Sequence, residues 1–192
     1  MNRRLGGILA FWFSAAIVIS FSGALRDIQM PRPQLLIVGL TLAFVAAFAV
    51  SERLRSWAFS LDLTRLTVFH MWRVIPGVAF LLMYQHGKLP YGFAVPAGIG
   101  DILIAVTAPF AAILALSHRR ALLLWHLLGF ADLVNVVTLA AVIGMADQKA
   151  MDLLRHFPFS MLPLILVPLT MQVHFLAIVQ TLRNPFARHA TA

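Results

Sequence analysis

The residues able to do chemistry in this chain are few, and they stand inside apolar stretches. Asp101 and Asp132 face a single arginine of that kind, Arg73. One of the two carboxylates must therefore be neutral, share its partner, or pair with a protonated histidine. Carboxylates shielded from water are natural proton-exchange groups. Asp132, deepest by residue count, is the expected ion-coupling group, with His174 as a proton relay and Asp101, Arg73 and Asn135 completing the polar set. A second chemistry is metal or haem ligation, for which His70, His126 and His174 lie on three different helices at similar depth. None of those helices carries two histidines at the spacing of a membrane cytochrome.

The elements that must position these groups are helices in lipid. The chain has 192 residues, 61% hydrophobic and 11% charged, with a mean hydropathy of +0.88. Soluble domains average about 25% charged residues. The apolar residues come in runs of roughly 20, the length that crosses a hydrocarbon core as a helix. Strand alternation is absent, so a transmembrane barrel is disfavoured. The expected fold is all-α, a single polytopic membrane domain over residues 1–192. Six spans are predicted: Leu5–Leu25, Leu35–Val50, Leu66–Tyr84, Ala97–Leu116, Ala121–Gly144 and Phe159–Leu182.

The first two spans hold no ionisable residue, and Gly39 with Ala43 forms a small-xxx-small packing step, so residues 5–50 read as scaffold. Arg3-Arg4 ahead of an apolar run that ends in Ser22-Gly23-Ala24 also resembles a secretory signal. That run exceeds the usual h-region length of about 7–15 residues, which favours a retained helix.

Residues 66–182 hold the polar groups. His70, Arg73, Gly77 and Tyr84 share an arc of about 60° on the third span, and Pro76 predicts a kink there. Gly98, Asp101, Ala105, Ala108 and Ala112 form a small-residue stripe on the fourth, so Asp101 is expected to point at a neighbouring helix. Arg73 is the expected partner, the two depths differing by about 9 Å at 1.5 Å per residue. A purely structural ion pair is the plainer reading. Gly129, Asp132 and Asn135 share an arc of about 120° on the fifth span, with His126 at its edge. Thr170, His174 and Thr181 follow one face of the sixth, whose first half is kinked by Pro163 and Pro168.

Between the spans, Leu54, Trp57, Ala58 and Leu61 follow the i, i+3, i+4, i+7 rule. Residues 51–65 are therefore expected to lie as an amphipathic helix on the inner membrane surface. Residues 147–157 are read the same way on the outer side. His86 to Pro96, rich in proline and glycine, reads as a surface turn, with a re-entrant loop as the alternative. Gly98 to Thr107 and Gly129 to Thr138 share a short pattern, a hint of the inverted repeats of transporters.

With a cytoplasmic N-terminus, nine basic residues fall inside (Arg3, Arg4, Arg53, Arg55, Arg65, Arg119, Arg120, Arg183, Arg188). Five fall outside (Arg26, Arg32, Lys88, Lys149, Arg155). The bias puts both termini in the cytoplasm. It also accounts for the net charge of +8 without a nucleic-acid partner, since no basic stripe with interleaved aromatics is present. The chain contains no cysteine, which excludes disulfides, thiolate metal sites and cysteine nucleophiles. No Gly-x-Ser-x-Gly elbow, His-Glu-x-x-His motif or phosphate-binding loop occurs.

The motifs Pro96-Ala97-Gly98-Ile99-Gly100-Asp101 and Trp125 through Gly129 to Asp132-Leu133 resemble those of small bacterial multi-pass inner-membrane proteins of unassigned function. The resemblance covers roughly spans three to six and implies a bacterial inner-membrane location, with no activity to carry over. The leading expectation is a small proton- or ion-coupled permease, or a subunit of one, with no cofactor. Its partners would be the bilayer, a small solute or proton, and other copies or subunits. The alternatives are an accessory or assembly protein without chemistry of its own, and a haem- or metal-binding protein using His70, His126 and His174. An enzyme is the less expected outcome.

Overall fold

The computed structural model describes residues 3–114 and 118–183. Arg188 and the side chains of Arg3 and Arg4, part of the charge argument above, lie outside what it describes. Among the described residues every regular element is helical: α1 (Arg3–Ser22), α2 (Arg32–Val50), α3 (Glu52–Phe59), α4 (Leu63–Val68), α5 (Val74–Gln85), α6 (Tyr91–Leu114), α7 (Arg119–Ala146) and α8 (Val167–Arg183). Five segments are long and apolar enough to cross a membrane: Arg32–Val50, Leu63–Gln85, Tyr91–Ile113, Arg119–Ala146 and Leu162–Arg183. The described apolar stretch of α1, Gly6–Ser22, lies within the expected first span. Large apolar side chains such as Phe11, Phe110, Ile113 and Leu128 cover the outside. Such a surface suits lipid and not water. The chain is an all-α polytopic membrane bundle.

Prolines shape the spans that carry the polar residues. Pro76 has no N–H to offer the carbonyl of Trp72 and its ring crowds that carbonyl. The turn before it leaves α geometry, and Phe69–Arg73 forms a 3₁₀ helix between α4 and α5. His70 and Arg73 both sit in that tightened turn, and both are fully buried. Pro168 acts similarly on the last span, where Leu162–Leu166 forms a π turn ahead of α8.

Helix α5 packs chiefly on α6, α6 on α7 and α7 on α8, while α2 leans on α8. The α5–α6 crossing is backbone on backbone. A Cβ at Gly77 would lie 2.9 Å from the Gly98 carbonyl oxygen, and a Cβ at Gly98 would lie 2.9 Å from that of Gly77. This close approach brings Asp101, one turn beyond Gly98, against the third span.

Three connectors differ from the sequence reading. The stretch His86–Pro96 is a turn only as far as Pro90, because α6 starts at Tyr91. Pro96 lies inside that helix, where the burial of Phe93, Ala94 and Ala97 outweighs one lost backbone bond. Residues 51–65 are not one helix. Ser51 caps α3, accepting from Leu54 N at 3.2 Å, and Asp62 caps α4, accepting from Arg65 N at 2.7 Å. The apolar face of α3 packs against protein, since Leu54, Trp57, Ala58 and Leu61 cluster with Phe48 and Leu176. Residues 147–157 hold a short 3₁₀ turn, Asp152–Arg155, whose neighbours Met151 and Leu154 are buried against Met30, Phe80 and Phe93. Gln148 fastens that segment to the α1–α2 connector. Its Oε1 accepts from Met30 N at 2.8 Å and its Nε2 donates to Met30 O at 3.2 Å.

Candidate functional site

The polar residues of spans three to six meet in the middle of the bundle in two adjoining clusters. The first is an ion triad. Arg73, from the 3₁₀ turn, donates from Nε to Asp101 Oδ1 on α6 at 2.6 Å. Its Nη2 donates to Asp132 Oδ2 on α7, and its Nη1 to the Gly129 carbonyl at 3.4 Å. Three helices thus converge on one guanidinium, which is 1% exposed. The Asp101 side chain is 7% exposed and that of Asp132 is 19% exposed, so Asp132 is the more reachable acid. The fork geometry of arginine allows this double engagement, which a lysine could not reproduce. Gly100 makes room for it, because a Cβ there would run into the Asp132 carboxylate.

The second cluster holds His70, His126 and His174, all fully buried. His126 Nδ1 and His174 Nδ1 are 3.0 Å apart, and the rings of His70 and His174 stack at 3.7 Å between centroids. The Trp125 indole flanks all three rings at 4.9–5.8 Å. One nitrogen of each histidine can be chosen so that all three lie within 4.8 Å of one another. His126 Nε2 is 3.1 Å from Thr67 Oγ1, whose hydroxyl donates to Leu63 O at 2.8 Å. With the threonine proton on that carbonyl, the matching tautomers have His126 Nε2–H donating to Thr67 Oγ1 and His126 Nδ1 accepting from His174 Nδ1–H. Both ring nitrogens of His70 and Nε2 of His174 are buried without a hydrogen-bond partner. Buried polar atoms left in this way are uncommon and call for an explanation.

Gly129 joins the clusters. Its carbonyl takes the Arg73 bond, and its missing side chain leaves the space that the His174 ring fills.

A family model described as a domain of unknown function (DUF8737) matches residues 30–182. The chain belongs to that family. No curated protein and no solved structure matches it. The part matched to DUF8737 contains both clusters whole and leaves out α1.

Of the expected site residues, six come together: Asp101, Asp132 and Arg73 in one cluster, His70, His126 and His174 in the other. Asn135 does not join them. It is exposed on α7. Asp132 and His174 share no hydrogen bond among the described residues. Sequence reasoning missed Thr67, Gly129 as a spacer, and a cavity of about 50 Å³ beside the ion pair. That cavity is lined by Arg73 and Asp101 together with Gln34, Trp72 and Phe93. Gln34 Oε1 and Trp72 Nε1 have no hydrogen-bond partner there. The rest of the lining is apolar, including Ile37, Phe80, Leu133 and Val136, so water there would have only these few polar atoms to bond. Thr67 could have been found from its place one turn before His70, on the same helix face.

Proposed function

We propose that this is a multi-pass protein of the bacterial cytoplasmic membrane with both termini inside, acting as a small proton- or ion-coupled permease or as a subunit of one. The observation that carries the reading is the meeting of Asp101 and Asp132 on Arg73. Two buried acids on one base leave one negative charge in excess, so the site is built to hold a proton or a cation. Asp132 is the acid that exchanges it, being the more exposed of the two. The two aspartates occupy matching places in the similar segments Gly98–Thr107 and Gly129–Thr138, as the paired halves of a transporter would supply them. A small, largely apolar cavity borders Arg73 and Asp101, with Gln34 and Trp72 as its other polar side chains.

The test is proton uptake in proteoliposomes with an entrapped pH dye and an imposed membrane potential. The unaltered chain should acidify the lumen faster than protein-free vesicles, and Asp132→Asn should return the rate to the protein-free level. A rate equal to that of empty vesicles, or an Asp132→Asn rate equal to that of the unaltered chain, would remove the reading and leave the polar core a role in assembly alone.

A further inference from the structure

We infer that His70, His126 and His174 form a binding site for one divalent first-row transition-metal ion of the imidazole-preferring kind, such as Zn²⁺ or Co²⁺. The site stands on its own observations and holds whether or not the bundle transports protons.

Three observations support it. The first is convergence. The three histidines come from the 3₁₀ turn, α7 and α8, yet one nitrogen of each lies within 4.8 Å of the other two. Metal–imidazole bonds of about 2.0–2.1 Å in a tetrahedron place ligand nitrogens roughly 3.3 Å apart. His126 Nδ1 and His174 Nδ1 are already 3.0 Å apart; on metal binding the proton between them moves to the unpartnered His174 Nε2, and His70 closes in.

The second is the unused valence. His70 offers two nitrogens and His174 one that are buried without a partner. A packing histidine in a helix bundle normally gives at least one nitrogen to a carbonyl or hydroxyl. His70, fully buried, gives neither. An ion takes lone pairs that lie in the ring planes, so the His70 ring, stacked on His174, must turn to present one of its two free nitrogens.

The third is the support around the ligands. Metal-binding histidines usually donate their other N–H to an acceptor that fixes the tautomer. Thr67 does this for His126: its oxygen accepts from Nε2 at 3.1 Å while its own proton goes to Leu63 O. His126 Nδ1 is thereby left as a lone pair facing His174. The nearby Asp101–Arg73–Asp132 group, with its one excess negative charge, offsets part of a divalent ion's charge. The cluster contains imidazole nitrogen only, a donor set suited to zinc, cobalt, nickel or copper and not to magnesium or calcium. The rings of His70 and His174 stack at 3.7 Å, too close to hold a haem plane between them. Three protein ligands leave a fourth position open.

The experiment is Co²⁺ titration of the full chain, purified in detergent without an oligohistidine tag. The intense visible bands of four-coordinate Co²⁺ are the readout, with elemental analysis for stoichiometry. One Co²⁺ per chain with a four-coordinate spectrum is expected. His126→Gln and His174→Gln should each lower the affinity at least 100-fold. Thr67→Val keeps every ligand and removes the hydroxyl that bonds His126 Nε2 and Leu63 O, and should lower it about 10-fold. His86→Gln, on an exposed histidine, should leave it unchanged. If the ligand variants do not fold, the unaltered chain and Thr67→Val decide the matter between them. No stoichiometric binding by the unaltered chain would overturn the inference. So would a six-coordinate spectrum, or a four-coordinate signal that Thr67→Val leaves untouched.

Discussion

Arg73→Met should be the most damaging single substitution in the bundle. The long apolar side chain of methionine fills much of the same space, so little of the loss comes from packing. What it removes is the cation that both Asp101 and Asp132 engage. Breaking a buried ion pair by deleting one partner costs about 3–5 kcal/mol, because the charge left behind has neither water nor counter-ion. Here two carboxylates are left behind. The thermal midpoint in detergent, followed by loss of the monodisperse peak in size exclusion, should fall sharply or be lost. The same logic predicts recovery. Replacing a whole buried ionic group by neutral residues is often close to neutral in stability, so Arg73→Met with Asp101→Asn and Asp132→Asn should regain most of the lost midpoint. Arg73→Met alone melting with the unaltered chain would show that the triad is not buried as described.

Gly129→Val should be the second. A Cβ at Gly129 would overlap the His174 imidazole, and that ring is fully buried with His70 stacked on it at 3.7 Å. The ring can yield only by disturbing that stack, and overpacking a close-packed core costs about 1–3 kcal/mol. The displaced ring also loses its 3.0 Å contact with His126, so Co²⁺ uptake should fall with stability. Gly39→Ala is the contrast, because nothing lies within 4 Å of its added methyl. Alanine in a helix interior is better than glycine by about 0.5–1 kcal/mol, so Gly39→Ala should leave the midpoint unchanged or raise it. Equal melting of the two variants would contradict the account of Gly129 as a spacer.

The helices were legible because lipid imposes a length and a composition that run through every span. The pairing of Arg73 with Asp101 was legible for a related reason: a charge at that depth must be answered, and the Gly98–Ala112 stripe points Asp101 at the helix that carries Arg73. Helical periodicity gives the arc on which residues lie, but not which edge of the arc meets a neighbour. That is why Asn135 was grouped with Asp132, although the structure leaves it on the exposed side of α7. The connectors were harder to read. Composition identified the apolar side of residues 51–65, but Leu54 and Trp57 lie half-buried against the bundle's own residues. Pro96 reads as a helix stop, yet buried Phe93 and Ala97 carry α6 through it. The contact of the three histidine rings depends on a 3₁₀ turn, a missing side chain at Gly129 and the register between α7 and α8, none of which appears in any one segment.

The convergence of both acids on one guanidinium is tested most directly by a double-mutant cycle on Asp101 and Asp132, read as unfolding midpoints in detergent. Asp101→Asn alone leaves Arg73 paired with Asp132, and Asp132→Asn alone leaves it paired with Asp101, so each single change should be mild. Together they strand a fully buried guanidinium, and the pair should cost more than the two singles combined by about 1–3 kcal/mol. Losses that simply add would mean that the two carboxylates do not share Arg73, and the central claim would fail.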